Sequence, residues 1–182
     1  MEIRETGIRG CYEIFPRVLT DERGAFIKTF HRDVFESHSL ETSFAEEYFT
    51  VSGAGVIRGL HFQVPPMDHI KLVYSVSGEV FDAVVDLRTG SPTYGQFESF
   101  TLSSNKGNMV YIPKGLAHGF CALTDGATMM YKVTSVYSPE HDSGILWNSA
   151  GIPWPSKAPV LSDRDKGFQA LSEFQSPFMY ED

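Results

Sequence analysis

Four polar residues stand inside apolar runs where a charge or a phenol needs a reason. His61 lies in Gly55-Val56-Ile57-Arg58-Gly59-Leu60-His61-Phe62-Gln63, Lys71 in Ile70-Lys71-Leu72-Val73, Asp82 in Val80-Phe81-Asp82-Ala83-Val84-Val85, and Tyr131 in Met129-Met130-Tyr131-Lys132-Val133. Each alone has an ordinary explanation: a hydrogen-bonded core histidine, a lysine on a wet strand face, an Asp capping a turn, a tyrosine with its hydroxyl at the rim of the core. Together they read differently. Asp82 shares its strand face with Val80 and Val84, so it is buried or beside a cavity, and a buried carboxylate needs a cation or donors. Lys71 and His61 are the candidates. One imidazole, one ammonium and one phenol meeting in a pocket are the equipment for proton transfer next to a carbonyl. His118, which opens a strand before Gly119-Phe120, stands between a core and a site reading. A metal centre of the His-x-His type fails on ligand count, because His61 is followed by Phe62 and Gln63 and His69 beside Lys71 does not restore the set. No metal and no other cofactor is expected.

These residues must be positioned by strands. Alternation from Gly55 to Gln63 is the half-buried strand signal, with Arg58, Leu60 and Phe62 on one face and Ile57, Gly59, His61 and Gln63 on the other. Strict alternation thus parts Arg58 from His61, and a bulge at Gly59 is what would bring them together. Further strands are read at Gly10 to Val18, Ala25 to Phe30, Phe44 to Val51, Lys71 to Val76, Glu79 to Leu87, Gly95 to Leu102, Asn108 to Ile112, His118 to Ala122 and Thr128 to Val136. Ser77-Gly78 reads as a tight hairpin turn, Asp33 to Leu40 as a short helical turn, and the proline-bearing tail from Ser149 as ordered loop with one helical turn. Many short strands separated by turn residues predict an all-β chain: a double-stranded jelly roll, a cupin-like β sandwich, with short helical turns and a C-terminal loop-rich tail. The expected organisation is one domain over residues 1–182.

The chain has 182 residues, 15 Lys and Arg against 23 Asp and Glu, and a formal net charge of −8. An acidic field argues against a nucleic-acid partner, so an anionic ligand must be met by local cations. No apolar run reaches the roughly 18 residues of a membrane span, and no membrane partner is expected. Cys11 and Cys121 do not form a CxxC pair, and the charged start lacks a signal peptide's apolar core, so the expected location is cytoplasmic.

Arg58-Gly59-Leu60-His61-Phe62-Gln63, Lys71-Leu72-Val73, Gly78-Glu79-Val80-Phe81-Asp82, Val85-Asp86-Leu87-Arg88 and Ile112-Pro113-Lys114-Gly115-Leu116-Ala117-His118-Gly119-Phe120 arrive in order, followed by Tyr131, Tyr137-Ser138-Pro139-Glu140 and Leu161-Ser162-Asp163-Arg164-Asp165. Over nearly its whole length the chain resembles the dTDP-4-dehydrorhamnose 3,5-epimerase family. The resemblance implies a cofactor-independent jelly roll working as a homodimer on a nucleoside-diphosphate 4-keto-6-deoxyhexose. It implies His61 as base, Asp165 as the carboxylate that holds its imidazole and favours the charged form, Lys71 on the enolate oxygen, and Tyr131 as acid. It assigns Arg23 and Arg58 to the diphosphate, and Asp82, Gln63 and His118 to the ligand's surroundings. The chain departs from the family where Gly-Phe-Phe-x-Glu becomes Gly24-Ala25-Phe26-Ile27-Lys28 and Gln-x-Asn becomes Glu46-Glu47-Tyr48. It departs again where Gln and Arg flanking Lys-Leu-Val become His69 and Tyr74. Lys28, Glu46 and Tyr48 are therefore counted among the substrate-contacting residues. Whether the nucleotide is dTDP, CDP, GDP or UDP, and whether C3, C5 or both invert, stays open. A 3,4-ketoisomerase and a non-catalytic sugar-nucleotide binder are the alternatives.

Overall fold

In the computed structural model residues 1–181 are described; Asp182, the last residue of the expected unit, lies outside them. Thirteen strands and two short helices follow in order: β1 (Glu2–Glu5), β2 (Tyr12–Phe15), β3 (Val18–Asp21), β4 (Gly24–Ile27), α1 (Arg32–Ser37), β5 (Glu46–Ser52), β6 (Ile57–Gln63), β7 (Lys71–Ser77), β8 (Glu79–Asp86), β9 (Phe97–Ser103), β10 (Met109–Ile112), β11 (Leu116–Ala122), β12 (Ala127–Val133), β13 (Asp142–Gly144) and α2 (Asp163–Lys166). A 3-10 turn covers Leu171–Glu173. One sheet has the order β1-β2-β10-β7-β12-β5, the other β13-β6-β11-β8-β9, and β3 with β4 forms a separate hairpin. The fold is a jelly roll, and among the described residues no helix is long and apolar enough to cross a membrane.

Period-two patterning decides which side chains face the space between the sheets. In β12 residues 127, 129, 131 and 133 are buried while 128, 130 and 132 are only partly so. Ala127, Met129 and Tyr131 join Val80, Val84, Phe120 and Val73 in the inter-sheet core. The outer face of the six-stranded sheet carries a second core of Leu72, Tyr74, Met109 and Ile14, covered by Phe35 of α1. A six-residue helix does not persist alone; Phe35, fully buried and edge-on to Phe30 at 5.0 Å, is what holds it. The five-stranded sheet has its outer face closed by the tail, where Phe178 and Phe174 pack on Phe62.

Four expectations are corrected. Ser77-Gly78 is not a hairpin: β7 pairs with β10 and β12, whereas β8 pairs with β11 and β9. Each is hydrogen-bonded along both edges within its own sheet. The chain therefore crosses between sheets at Gly78, whose φ of +72° suits glycine. The strand expected from Gly10 to Val18 is broken around Pro16, which cannot donate to a ladder, and the second expected strand ends at Ile27. The charged start, for which no element was expected, forms β1, an exposed edge strand paired in register with β2. The tail holds α2 and a 3-10 turn rather than one helical turn.

Candidate active site

A cavity of about 740 Å³ opens between the sheets, and His61, Lys71, Tyr131, Asp165, Arg58 and His118 all line it. The bulge on β6 explains how. His118 pairs with His61, but Phe120 pairs with Arg58, so three steps on β6 match two on β11. His118 and Phe120 share a face, and their cross-strand partners therefore do too. Gly59 permits this: its φ is +137°, and a Cβ there would stand 2.6 Å from the Gly119 Cα. Any other residue closes the approach of the two strands.

The bulge also turns the Gly59 N–H outward, where it donates to Asp165 Oδ2 at 3.1 Å, while His61 Nε2 lies 2.8 Å from Oδ1 of the same carboxylate. Asp165 is presented by α2, whose first N–H groups are capped by Ser162: the Asp165 N–H donates to Ser162 Oγ at 3.1 Å. Burial pushes the Asp165 carboxyl up, but bonds from His61, Gly59 and Ser162 together hold it below the usual carboxylate range. An ionised Asp165 accepts the Nε2 proton and leaves the lone pair on Nδ1. Asp165 favours the charged form of His61, as expected, but does not decide the balance. Burial lowers the His61 pKa below 6.5 and the nearby Lys71 adds to this, outweighing the upward pull of Asp165.

Lys71 starts β7 with its side chain turned inward. Its Nζ donates to the His61 carbonyl at 3.1 Å, and burial brings the ammonium down to about 8, opposed by Asp142 and Asp82. Tyr131, two residues from the Lys71 register partner Val133, stacks on Tyr48 with centroids 4.7 Å apart and an interplanar angle of 13°. Burial raises the Tyr131 phenol strongly. Asp82 does not line the cavity. It lies behind His118, fully buried, with Oδ2 2.7 Å from His118 Nε2 and Oδ1 without a partner. Burial raises its pKa against the pull of His118 and Lys71.

The outer wall is polar. Arg58 Nε donates to Ser52 Oγ at 3.0 Å, which fixes the guanidinium beside β5. Glu46 Oε2 accepts the Tyr137 N–H at 2.8 Å. Gln63 lines the cavity but serves the following loop: its Nε2 donates to the Met67 carbonyl at 2.8 Å and its Oε1 accepts from the Ser138 N–H at 2.6 Å. Arg23 and Lys28 lie outside the cavity. Arg23 sits at the tip of the β3–β4 hairpin, its side chain 85% exposed and paired with Asp21, and Lys28 is exposed just beyond β4.

Sequence reasoning missed Arg164, Asp142 and Tyr137. Arg164 Nη2 lies 2.6 Å from Asp142 Oδ2, joining α2 to β13 across the cavity rim, and the Tyr137 hydroxyl donates to the same oxygen at 3.3 Å. The signal for Arg164 was present: Ser162-Asp163-Arg164-Asp165 is a capping pattern that starts a helix and puts a cation beside the carboxylate. Among the described residues no three His, Cys, Asp or Glu side chains converge as metal ligands do.

The profile of the family described as dTDP-4-dehydrorhamnose 3,5-epimerase matches residues 5–173. The chain is 41% identical over 174 residues to the dTDP-4-dehydrorhamnose 3,5-epimerase of Methanothermobacter thermautotrophicus, covering 93% of this chain and 94% of that one. It is similar to the Bacillus anthracis enzyme of the same name solved with TDP and PPi bound, at 40% identity and a TM-score of 0.90, covering 93% and 98% of the two chains. It is also similar to a Legionella pneumophila dTDP-6-deoxy-D-glucose-3,5-epimerase in complex with dTDP-4-keto-L-rhamnose, at 35% identity and a TM-score of 0.93, covering 99% of each.

Proposed function

The chain belongs to the dTDP-4-dehydrorhamnose 3,5-epimerase family, and from that premise and the chemistry of the cavity we propose how it works. It is an isomerase that inverts C3, C5 or both of a dTDP-linked 4-keto-6-deoxyhexose. The observation that carries the mechanism is the convergence of a neutral, Asp-held imidazole, a buried ammonium and a buried phenol on one cavity.

The 4-keto group acidifies the C–H bonds at C3 and C5, since the electron pair left behind moves onto O4. His61 Nδ1 removes the proton from one face of the ring. Asp165 fixes the imidazole and stabilises the imidazolium as it forms, so the loss of charge stabilisation by burial is offset at the moment it matters. Lys71 meets the developing O4 charge, where a preorganised donor in a water-poor site contributes about 3 kcal/mol. Tyr131 returns a proton from the opposite face and is recharged from solvent. His118, held by Asp82, borders the same space. Arg58 and Arg164 are the cations at the cavity rim for the diphosphate, which resolves how an acidic protein holds an anion. We further propose that residues 1–182 form one domain, that the enzyme is cytoplasmic, and that it is a homodimer in which Arg23 and Lys28 reach the other subunit's cavity.

The test is incubation in D2O with dTDP-, CDP- and GDP-4-keto-6-deoxyglucose, following deuterium at C3 and C5 by NMR. The expected result is exchange with the dTDP sugar and its loss in His61→Asn, a removal of general-base catalysis that costs about 100-fold or more. Absence of exchange with every sugar overturns the reading.

A further inference from the structure

Tyr48 sits directly opposite Tyr131 in the antiparallel β5–β12 ladder, and both rings turn toward the cavity. The two rings are nearly parallel, with centroids 4.7 Å apart. The His118 ring stands edge-on to Tyr131 at 6.1 Å, and its Nε2 lies 2.7 Å from Asp82 Oδ2. Tyr131 is buried, whereas Tyr48 is 40% exposed at the cavity wall. A large ring half open to solvent beside a catalytic cavity serves no core; what it touches is the phenol.

We propose that Tyr48 is a positioning residue that clamps the Tyr131 phenol in the one orientation from which it delivers a proton to the face opposite His61. The inference rests on the epimerase reading. Proton transfer requires a donor within about 3 Å of the carbon it serves, and a misplacement of about 1 Å costs on the order of 100-fold. Once His61 has taken the C–H proton and the electron pair has moved to O4, the enolate has two fates. Tyr131 can give its O–H proton to the far face, which inverts the carbon and leaves a tyrosinate to be recharged by solvent. Alternatively His61, after exchanging its proton with solvent, returns one to the original face, and the carbon is labelled without inversion. The partition between these fates depends on where the phenol points. It does not depend on how much folded enzyme is present or how tightly the nucleotide binds.

The experiment measures that partition in D2O with dTDP-4-keto-6-deoxyglucose, as deuterium in recovered, uninverted substrate against deuterium in inverted product. Wild type, Tyr48→Phe and Tyr48→Leu are compared, with Tyr131→Phe as the reference for a missing acid. Tyr48→Phe keeps the stack and is expected to keep the wild-type partition. Tyr48→Leu, which removes the ring face, is expected to shift it toward uninverted, labelled substrate by about 10-fold, approaching Tyr131→Phe, with KM changed by less than about 3-fold. If Tyr48→Leu does not fold, Tyr48→Val carries the same expectation. A variant that slows labelling and inversion in proportion, or that raises KM alone, overturns the proposal. A wild-type enzyme that exchanges no proton overturns the epimerase reading instead.

Discussion

His61 must be neutral to accept a proton, and Lys71 must be charged to hold an enolate oxygen. Burial lowers both groups, so the window between them moves toward acid without closing. Activity should rise with pH through the lowered His61 value, below 6.5, and fall as Lys71 deprotonates at about 8; a pH profile of kcat/KM checks both limbs, and an alkaline limb near the ordinary lysine value of 10.5 would contradict the burial of that ammonium. The same burial has a stability cost. The folded chain releases the Lys71 proton at about 8 and the unfolded chain at about 10.5. The unfolded state therefore binds more protons across that interval, and stability rises with pH within it; below it the penalty is present in full. Lys71→Met should accordingly raise stability at neutral pH by about 2 kcal/mol while abolishing turnover. Urea denaturation of the two proteins decides it, and an unchanged or lower midpoint counts against a strained ammonium.

At the scale of elements the site depends on one irregular strand. If the bulge on β6 is what puts Arg58 and His61 on the same face, then Gly59→Ala, whose Cβ meets the Gly119 Cα at 2.6 Å and the His118 carbonyl at 3.0 Å, should lower stability by roughly 1–3 kcal/mol and disable proton abstraction together. A folded, fully active Gly59→Ala enzyme would show that the face assignment does not need the bulge. This irregularity was legible in the sequence, because alternation and chemistry disagreed at a glycine. β12 was legible because its period-two burial writes itself into residue order, and β7 and β8 because short apolar runs bounded by turn residues read as buried strands. What could not be read was partnership. Lys71 to Val76 and Glu79 to Leu87 look like the arms of a hairpin, but pairing is set by long-range partners, and they lie in different sheets. A helical turn was expected in the tail without a place, because the four residues of α2 hold no periodicity and its cap alone marks it. Arg164 escaped for the same reason.

At the scale of the molecule, the proposed homodimer can be tested at its apolar surface and at the cations that lie outside the cavity. On the outer face of the six-stranded sheet, Phe49 is 62% exposed with Val51 and Val76 also open, beyond the part that α1 covers. On the β3–β4 hairpin, Leu19 pairs across from Phe26, which is 61% exposed. Exposed apolar side chains such as these are candidates for an interface, and the hairpin carries Arg23 at its tip, away from its own cavity. One chain's sequence cannot say which copy a residue serves, since residue order is identical in both. If a two-fold dimer places each hairpin in the other subunit's cavity, Arg23→Ala and His61→Asn should each be nearly inactive as pure proteins. Their mixed dimer should nevertheless regain one working site, in which the Arg23→Ala subunit contributes His61 and the His61→Asn subunit contributes Arg23. Random pairing of equal amounts makes half the dimers mixed with one competent site of two, so co-expression should restore roughly one quarter of wild-type activity. Sedimentation of the wild type should show a dimer, and Phe26→Asp should shift it toward monomer with loss of turnover. A co-expressed mixture as inactive as its parents would place Arg23 outside the exchange and leave the diphosphate to Arg58 and Arg164 alone.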